Sequence, residues 1–256
     1  MKVTILGSGT AVPVPDRLPS GVLVVAGDQV ILVDLGPGVL RQVAKAGYGP
    51  DQITAVLFTH YHTDHTADLA ALLFALRNPQ FAKRPPLKIL GNTGLHTLLG
   101  HLTEAWRWLE PKDYELEVLE IGPGSFPLGN VEITAVAIEH TAASLAYRLT
   151  DEDGHSVALS GDADECDGLA DVAAGTDLFV CEAAFPDGQK VVGHITPSIA
   201  GAAAQTAGTK TLCMTHFYPE CEGVDLLAQA QEVYDGDVVL AADLMEFDLT
   251  SMRLRK

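Results

Sequence analysis

Thr59-His60-Tyr61-His62-Thr63-Asp64-His65-Thr66-Ala67-Asp68 is the stretch on which the fold turns. Three histidines and an aspartate fall within six residues, directly after the apolar run Ile53–Thr59. A continuous apolar run of that length reads as a strand buried on both faces, and Ala67–Leu76 behind it reads as a helix. The histidines therefore occupy a loop at the end of a buried strand, where side chains can converge on one point. Imidazole and carboxylate are good ligands for Zn²⁺ and similar borderline metals. A polar, solvated turn is the plainer reading, and the spacing at a strand end weighs against it.

Three further residues repeat the placement. His140 follows Val131–Ile138, Asp162 follows Val157–Ser160, and His216 follows Thr211–Thr215. Any one alone would pass as a loop residue. Together with the first cluster they point to a shared site. Asp34 also ends an apolar strand. It reads either as a carboxylate that fixes a ligand imidazole or as a turn-forming residue ahead of Gly36. His96, His101 and His155 fit no strand end and read as structural or exposed. Trp106 and Trp108, on a predicted helix Gly94–Leu109, cannot face one way, so no aromatic binding stripe is expected.

Further strands are predicted at Val3–Leu6, Leu87–Leu90, Leu116–Ile121, Leu145–Leu149 and Leu178–Cys181, with a last one at Val238–Ala241. Val22–Val25 and Val30–Val33 flank Gly27-Asp28, a hairpin signal. Helices are predicted at Pro197–Thr206, opened by a Thr196 cap and Pro197, and near Val224–Tyr234. Mixed strands and helices without a linker suggest one compact α/β domain over residues 1–256.

Hydrophobic residues make up 47% and charged residues 20% of the chain, which suits a packed core and argues against disorder. Lys+Arg number 16 against 34 Asp+Glu, a net charge of −18. That argues against a protein that coats nucleic acid. The longest basic cluster, Lys83-Arg84 with Lys88, reads as solvated surface. No stretch approaches the roughly 20 apolar residues of a membrane span, and the N-terminus lacks a signal-peptide pattern. Cys166, Cys181, Cys213 and Cys221 contain no C-x-x-C pair. The expectation is a cytoplasmic protein with free thiols and no membrane partner.

The motif His60-x-His62-x-Asp64-His65, followed by His140, Asp162 and His216, resembles the metallo-β-lactamase fold hydrolases over nearly the whole chain. The resemblance implies a four-layer αβ/βα sandwich with a dinuclear metal site at one edge of its two sheets. It implies that His60, His62 and His140 hold one metal, that Asp64, His65 and His216 hold the other, and that Asp162 bridges them. Two divalent ions per chain are expected, zinc first, with Mn²⁺ or Fe²⁺ as alternatives. Class B β-lactamases usually carry a cysteine where this chain has Asp162, and are secreted. Flavo-diiron proteins carry a glutamate where His62 stands, and glyoxalase II has an extra C-terminal helical region.

Within the family the chain is most similar to ribonuclease Z and its phosphodiesterase relatives. The likeness rests on Leu6-Gly7-Ser8-Gly9-Thr10-Ala11-Val12-Pro13 with Arg17 and Ser20, on Leu32-Val33-Asp34-Leu35-Gly36, and on Ser160-Gly161-Asp162. Two more segments carry it: Cys181-Glu182-Ala183-Ala184-Phe185, with Cys181 in place of a histidine, and Gly193-His194-Ile195-Thr196. The resemblance implies that Glu182 and His194 form a proton-donating pair. It makes Asp64 both a metal ligand and the residue that orients the nucleophile. The transfer-RNA enzymes insert a long basic arm between the last two segments. Here only residues 186–193 lie between them.

The missing arm and the negative charge point to a metal-dependent phosphodiesterase acting on small or medium phosphate esters. The alternatives are a transfer-RNA 3′-end endonuclease lacking the arm, or a lactonase, thioesterase or arylsulfatase on the same site. A metal-binding module without catalysis is disfavoured by the complete ligand set. The expected partner is a small phosphate ester; RNA is disfavoured by charge, and a homodimer is left open.

Overall fold

Alternation along the strands sorts their side chains between two cores. In the computed structural model, which describes every residue except Lys83, Met252 and Lys256, the first half of the chain supplies β1 (Lys2–Gly7), β2 (Gly21–Ala26), β3 (Gln29–Val33), β4 (Ala55–Leu57), β5 (Leu87–Gly91) and β6 (Leu116–Glu120). The second half supplies β7 (Gly124–Leu128), β8 (Val131–Ala137), β9 (Leu145–Asp151), β10 (Ser156–Leu159), β11 (Leu178–Glu182), β12 (Thr211–Thr215) and β13 (Asp237–Leu240). The chain then returns with β14 (Glu246–Asp248) and β15 (Arg253–Arg255) to extend the first sheet beyond β1. The sheet orders are β15-β14-β1-β2-β3-β4-β5-β6 and β13-β12-β11-β10-β9-β8-β7.

Val3, Ile5, Val22, Val24, Ile31, Val33, Ala55 and Leu57 share one buried cluster with residues of β8 to β12. Their neighbours Leu6, Leu23, Leu32, Val56 and Phe58 face the other way. There they meet α1 (Val39–Lys45), α3 (Asp68–Ala75) and α4 (Leu95–Ala105), which follow and precede the single-turn α2 (Thr63–Thr66) in the chain. The second sheet is covered by α5 (Asp167–Ala173), α6 (Pro197–Ala207) and α7 (Leu226–Gln231). Helix, sheet, sheet, helix is the expected four-layer α/β sandwich. A side-chain period of two lets each strand of the first sheet serve both an inter-sheet core and a helix-facing core.

The strand directions gather the chemistry at one edge. β3 to β6 run parallel to one another, as do β10 to β13. β8 points the same way as β10, because each is antiparallel to β9. The residues following β3, β4, β8, β10 and β12 therefore emerge at one end. Two inter-sheet hydrogen bonds join the sheets just beneath that end. The hydroxyl of Tyr147 donates to Phe58 O at 2.9 Å, and Leu145 N donates to Thr59 O at 2.9 Å.

Four expectations need correction. The predicted helix Gly94–Leu109 ends at Ala105, because Trp106 takes an extended conformation and a separate turn, Arg107–Leu109, follows. That turn buries Leu109 and leaves both tryptophans exposed. Val238–Ala241 is not the last strand, since the tail pairs back onto β1 through β14. Helices α1 and α5 and strand β7 were not foreseen. Arg84 is not merely solvated: it donates to Ile53 O and lies over Tyr114. Lys83, in the same basic cluster, lies outside the described residues.

Tyr147 is fully buried, so deleting its hydroxyl strands the Phe58 carbonyl. Tyr147→Phe should lower stability by about 1–3 kcal/mol, read as a shift of the denaturation midpoint at unchanged slope. An unshifted midpoint would show that the bond contributes nothing to holding the sheets.

Candidate metal centre

The loop after β4 is built on Asp34. This residue ends β3 in the left-handed region, at φ 62°. Its carboxylate accepts from Thr59 N at 2.9 Å and from Thr59 Oγ1 at 3.1 and 2.9 Å. It also meets His65 Nδ1 at 2.7 Å. A carboxylate only accepts here, so Nδ1 of His65 carries the hydrogen and Nε2 is turned toward the site. Asp34 thus fixes the imidazole of His65, and the plain turn-former reading falls. Two glycines allow the close approach. A Cβ on Gly36 would lie 2.1 Å from Asp64 O, and one on Gly161 would lie 2.6 Å from Thr59 Cβ. Gly161 also sits at φ 61°, where a side chain adds strain.

All seven expected ligands meet at this edge. His60, His62, His140 and Asp162 can point one atom each to a common centre, and Asp64, His65 and His216 to a second, with the atoms of each set within 4.8 Å of one another. Asp162 lies between the sets. Its Oδ2 is 3.8 Å from both His60 Nε2 and His140 Nε2, and its Oδ1 is 3.1 Å from His65 Nε2 and 3.2 Å from His216 Nε2. Ligand atoms about 2.0–2.2 Å from a zinc ion stand roughly 3.0–3.6 Å apart, which matches the closer of these spacings. His140 Nδ1 faces Gly193 O at 2.7 Å, so it too carries its hydrogen there and leaves Nε2 to the site. His96 and His101 are exposed and His155 lies with Asp151, away from the cluster.

Charge is tightly balanced. Burial, reinforced by the neighbouring His65, pushes His60 down to about 2, which keeps it neutral as a ligand must be. Burial also lowers His62 and His140. Burial opposes ionisation of Asp64, yet His216 and His65 hold it at about 2. Asp162 is likewise buried against its charge and is pulled well below the usual carboxylate range by His216 and His65. His65 is buried, but Asp162 and Asp34 raise its proton affinity well above the ordinary value.

The residues fit a divalent ion. Among the described residues, eight buried side-chain polar atoms lack a hydrogen-bond partner, and five of them are His60 Nε2, His65 Nε2, Asp162 Oδ1 and both ring nitrogens of His216. Each such atom costs about 1–3 kcal/mol unless something satisfies it. A cation does so for all that face the centre.

Glu182, the last residue of β11, is 1% exposed and is no surface carboxylate. It accepts from Ala163 N at 2.6 Å and Ile195 N at 3.2 Å, and it meets His194 Nδ1 at 3.2 Å. Burial pushes Glu182 upward and also disfavours a charged His194, but the hydrogen bond and charge of Glu182 raise His194 above its ordinary value. The ring of His194 lies 5.2 Å from that of His140 and 5.7 Å from that of His216. Sequence reasoning missed Thr59, whose hydroxyl joins Asp34 to His60 Nδ1 at 3.1 Å. It also missed Tyr218, which stacks on Phe185 at 4.7 Å and stands edge-on to His194 and His216. An aromatic residue two positions after His216 was the available signal.

A family model described as the beta-lactamase superfamily domain matches residues 29–217. A ribonuclease Z of Mycobacterium bovis is 33% identical over 244 residues, 86% of each chain. The chain belongs to the metallo-β-lactamase fold hydrolases. It falls in their ribonuclease Z and phosphodiesterase branch, and it is a hydrolase. Among solved structures, the metallo-β-lactamase fold protein YhfI from Bacillus subtilis superimposes with a TM-score of 0.82 at 29% identity, covering 96% of this chain and 98% of that one. The short form of human tRNase Z gives 0.80 at 25% identity, covering 97% and 99%. Membership of this fold family implies divalent metal binding at the cluster.

Asn tolerates the left-handed backbone of Asp34 but cannot serve both Thr59 and His65 as acceptor. Asp34→Asn should weaken metal binding on the Asp64, His65 and His216 side by about 10–100-fold, measured by chelator competition. Unchanged affinity would reduce Asp34 to a structural residue.

Proposed function

We propose that the chain is a phosphodiesterase for small or medium phosphate esters, working with two divalent ions, zinc first, bound as the two ligand sets suggest. The observation that carries this reading is the His194–Glu182 pair beside the ligand cluster. When bound, the ions supply an acidified water and neutralise charge on the phosphoryl oxygens. His194 keeps Nδ1 on Glu182, so Nε2 is the end that gives a proton to the leaving oxygen. Glu182, fixed by two backbone amides, holds the imidazole in place and stabilises its charge. Asp64, which accepts from Ala11 N at 3.1 Å, is a ligand and orients the nucleophile. A proton donor serves a poor alkoxide leaving group, whereas a lactone, thioester or aryl sulfate needs it less.

Substrate size follows from the rim. Residues 186–193 form a short loop whose Asp187 takes hydrogen bonds from Ser198. A cavity of about 490 Å³ lies along Tyr218, lined also by Val14, Arg17, Phe217, Glu222 and Leu226, and none of the seven ligand residues borders it. Among the described residues no helix is long and apolar enough to cross a membrane. One domain over residues 1–256, acting in the cytoplasm, is the working picture. A second reading, transfer-RNA 3′-end cleavage, is favoured by relatives named ribonuclease Z at 33% identity. The net charge of −18 stands against it.

His194→Ala should cost a diester with a poor leaving group about 10²–10⁴-fold and an activated aryl diester little, at matched metal content. Because Glu182 raises the proton affinity of His194, the acid form persists above its ordinary value. Activity on the poor leaving group should therefore fall on the alkaline side, and the variant should lose that limb. Equal losses on both substrates would remove His194 as the acid. Salt-sensitive cleavage of precursor transfer RNA at its 3′ end would replace the first reading with the second.

A further inference from the structure

Asp164 stands two residues beyond Asp162 and has no part in the chemistry assigned above. Its contacts nevertheless reach both loops that matter. Its backbone N–H donates to the carbonyl of Glu139, the residue before His140. Its Oδ2 accepts from the backbone N–H of Gly193, the residue before His194, at 2.7 Å. Its Oδ1 accepts from Lys190 Nζ. The other face of the same glycine completes the link, since Gly193 O accepts from His140 Nδ1 at 2.7 Å. The approach needs glycine: φ is +89°, and a Cβ would come within 3.3 Å of His140 Nδ1.

One backbone bond closes this stretch on itself, from His194 N to Val191 O at 3.1 Å, and no side chain packs it down. Val191 is 44% and Val192 90% exposed, so no apolar anchor lies between Lys190 and Gly193. The Lys190 ion pair is partly exposed and contributes little by itself. The hydrogen bond from a peptide N–H to a carboxylate is charge-assisted and is the stronger contact. The two peptides that flank the Gly193 Cα are thus held in turn, the first giving its N–H to Asp164 and the second its carbonyl to His140.

We propose that Asp164 is a positioning residue that clamps Gly193, so that one carboxylate fixes the orientation of His140 and the place of the proton donor His194 together. The consequence is a coupling between one metal set and the acid. Loosening the clamp frees His140 to turn and lets His194 drift from Glu182, while Asp64, His65 and His216 are untouched.

The clamp rests on the two-metal diesterase reading in two ways: its zinc arm on the two metal sets, and its kinetic arm on the diesterase activity. The experiment compares Asp164→Ala, Asp164→Asn and Lys190→Met with wild type, by chelator competition and by turnover of an activated and an unactivated diester. Asp164→Ala should weaken one of two zinc equivalents by about 10–100-fold and leave the other as in wild type. It should cost the unactivated diester about 10-fold more than the activated one. Asp164→Asn keeps an acceptor for Gly193 N and should recover most of both effects. Lys190→Met should leave zinc affinity unchanged. If the alanine variant does not fold, Asp164→Ser, whose hydroxyl is too short to reach Gly193 N, takes its place. Wild-type affinity for both equivalents in the alanine or serine variant would overturn the clamp, as would an Asn variant no better than it. If wild type turns over neither diester, the functional reading falls, and the zinc titration still decides the clamp.

Discussion

Asp162 is a buried carboxylate with imidazoles against both of its oxygens, and the architecture serves that arrangement. Removing a carboxylate from water costs several kcal/mol unless opposite charge and hydrogen bonds compensate it. The compensation is drawn from both sheets: His60 from the loop after β4 and His65 from α2 behind it, His140 from beyond the end of β8, and His216 from the end of β12. Gly161 lets the turn carrying Asp162 sit against Thr59. Tyr147 and Leu145 hold the sheets together one layer below.

That these seven residues come together was legible because they follow the ends of apolar strands, and strand ends on a parallel sheet share one edge. Four of the seven also lie in a single hexapeptide. Glu182 and His194 were legible only by resemblance, since nothing in the apolar pattern joins positions 12 residues apart. Thr59, Tyr218 and Asp164 escaped because their roles come from contacts between loops, which periodicity does not encode. The fold was read well where strands are buried on both faces. It was read poorly at the tail, where β14 forms because β1 offers an unpaired edge rather than because Glu246-Phe247-Asp248 favours a strand. The helix break at Trp106 follows from burying Leu109, a tertiary demand that overrides local helix preference.

The rim of the site separates this chain from a generic metal cluster. The N-terminal loop reaches the ligands through the amide of Ala11, while Asp243 anchors the same loop by accepting from Ser8 and Leu18. Opposite it, Phe185 and Tyr218 form an aromatic wall beside His194. The loop of residues 186–193 is short and tied down at Asp187 and Gly193. The proposed preference for a compact ester rests on this short, tied rim and on the net charge of −18.

The central claim is that Asp162 joins two metal sets rather than completing one. Anomalous diffraction from crystals of the zinc-saturated protein, recorded on both sides of the zinc edge, tests it most directly. Two peaks about 3.5–4 Å apart, one among His60, His62 and His140 and one among Asp64, His65 and His216, with Asp162 between them, are the predicted result. A single peak at saturating zinc, or two peaks with Asp162 bound to neither, would contradict it.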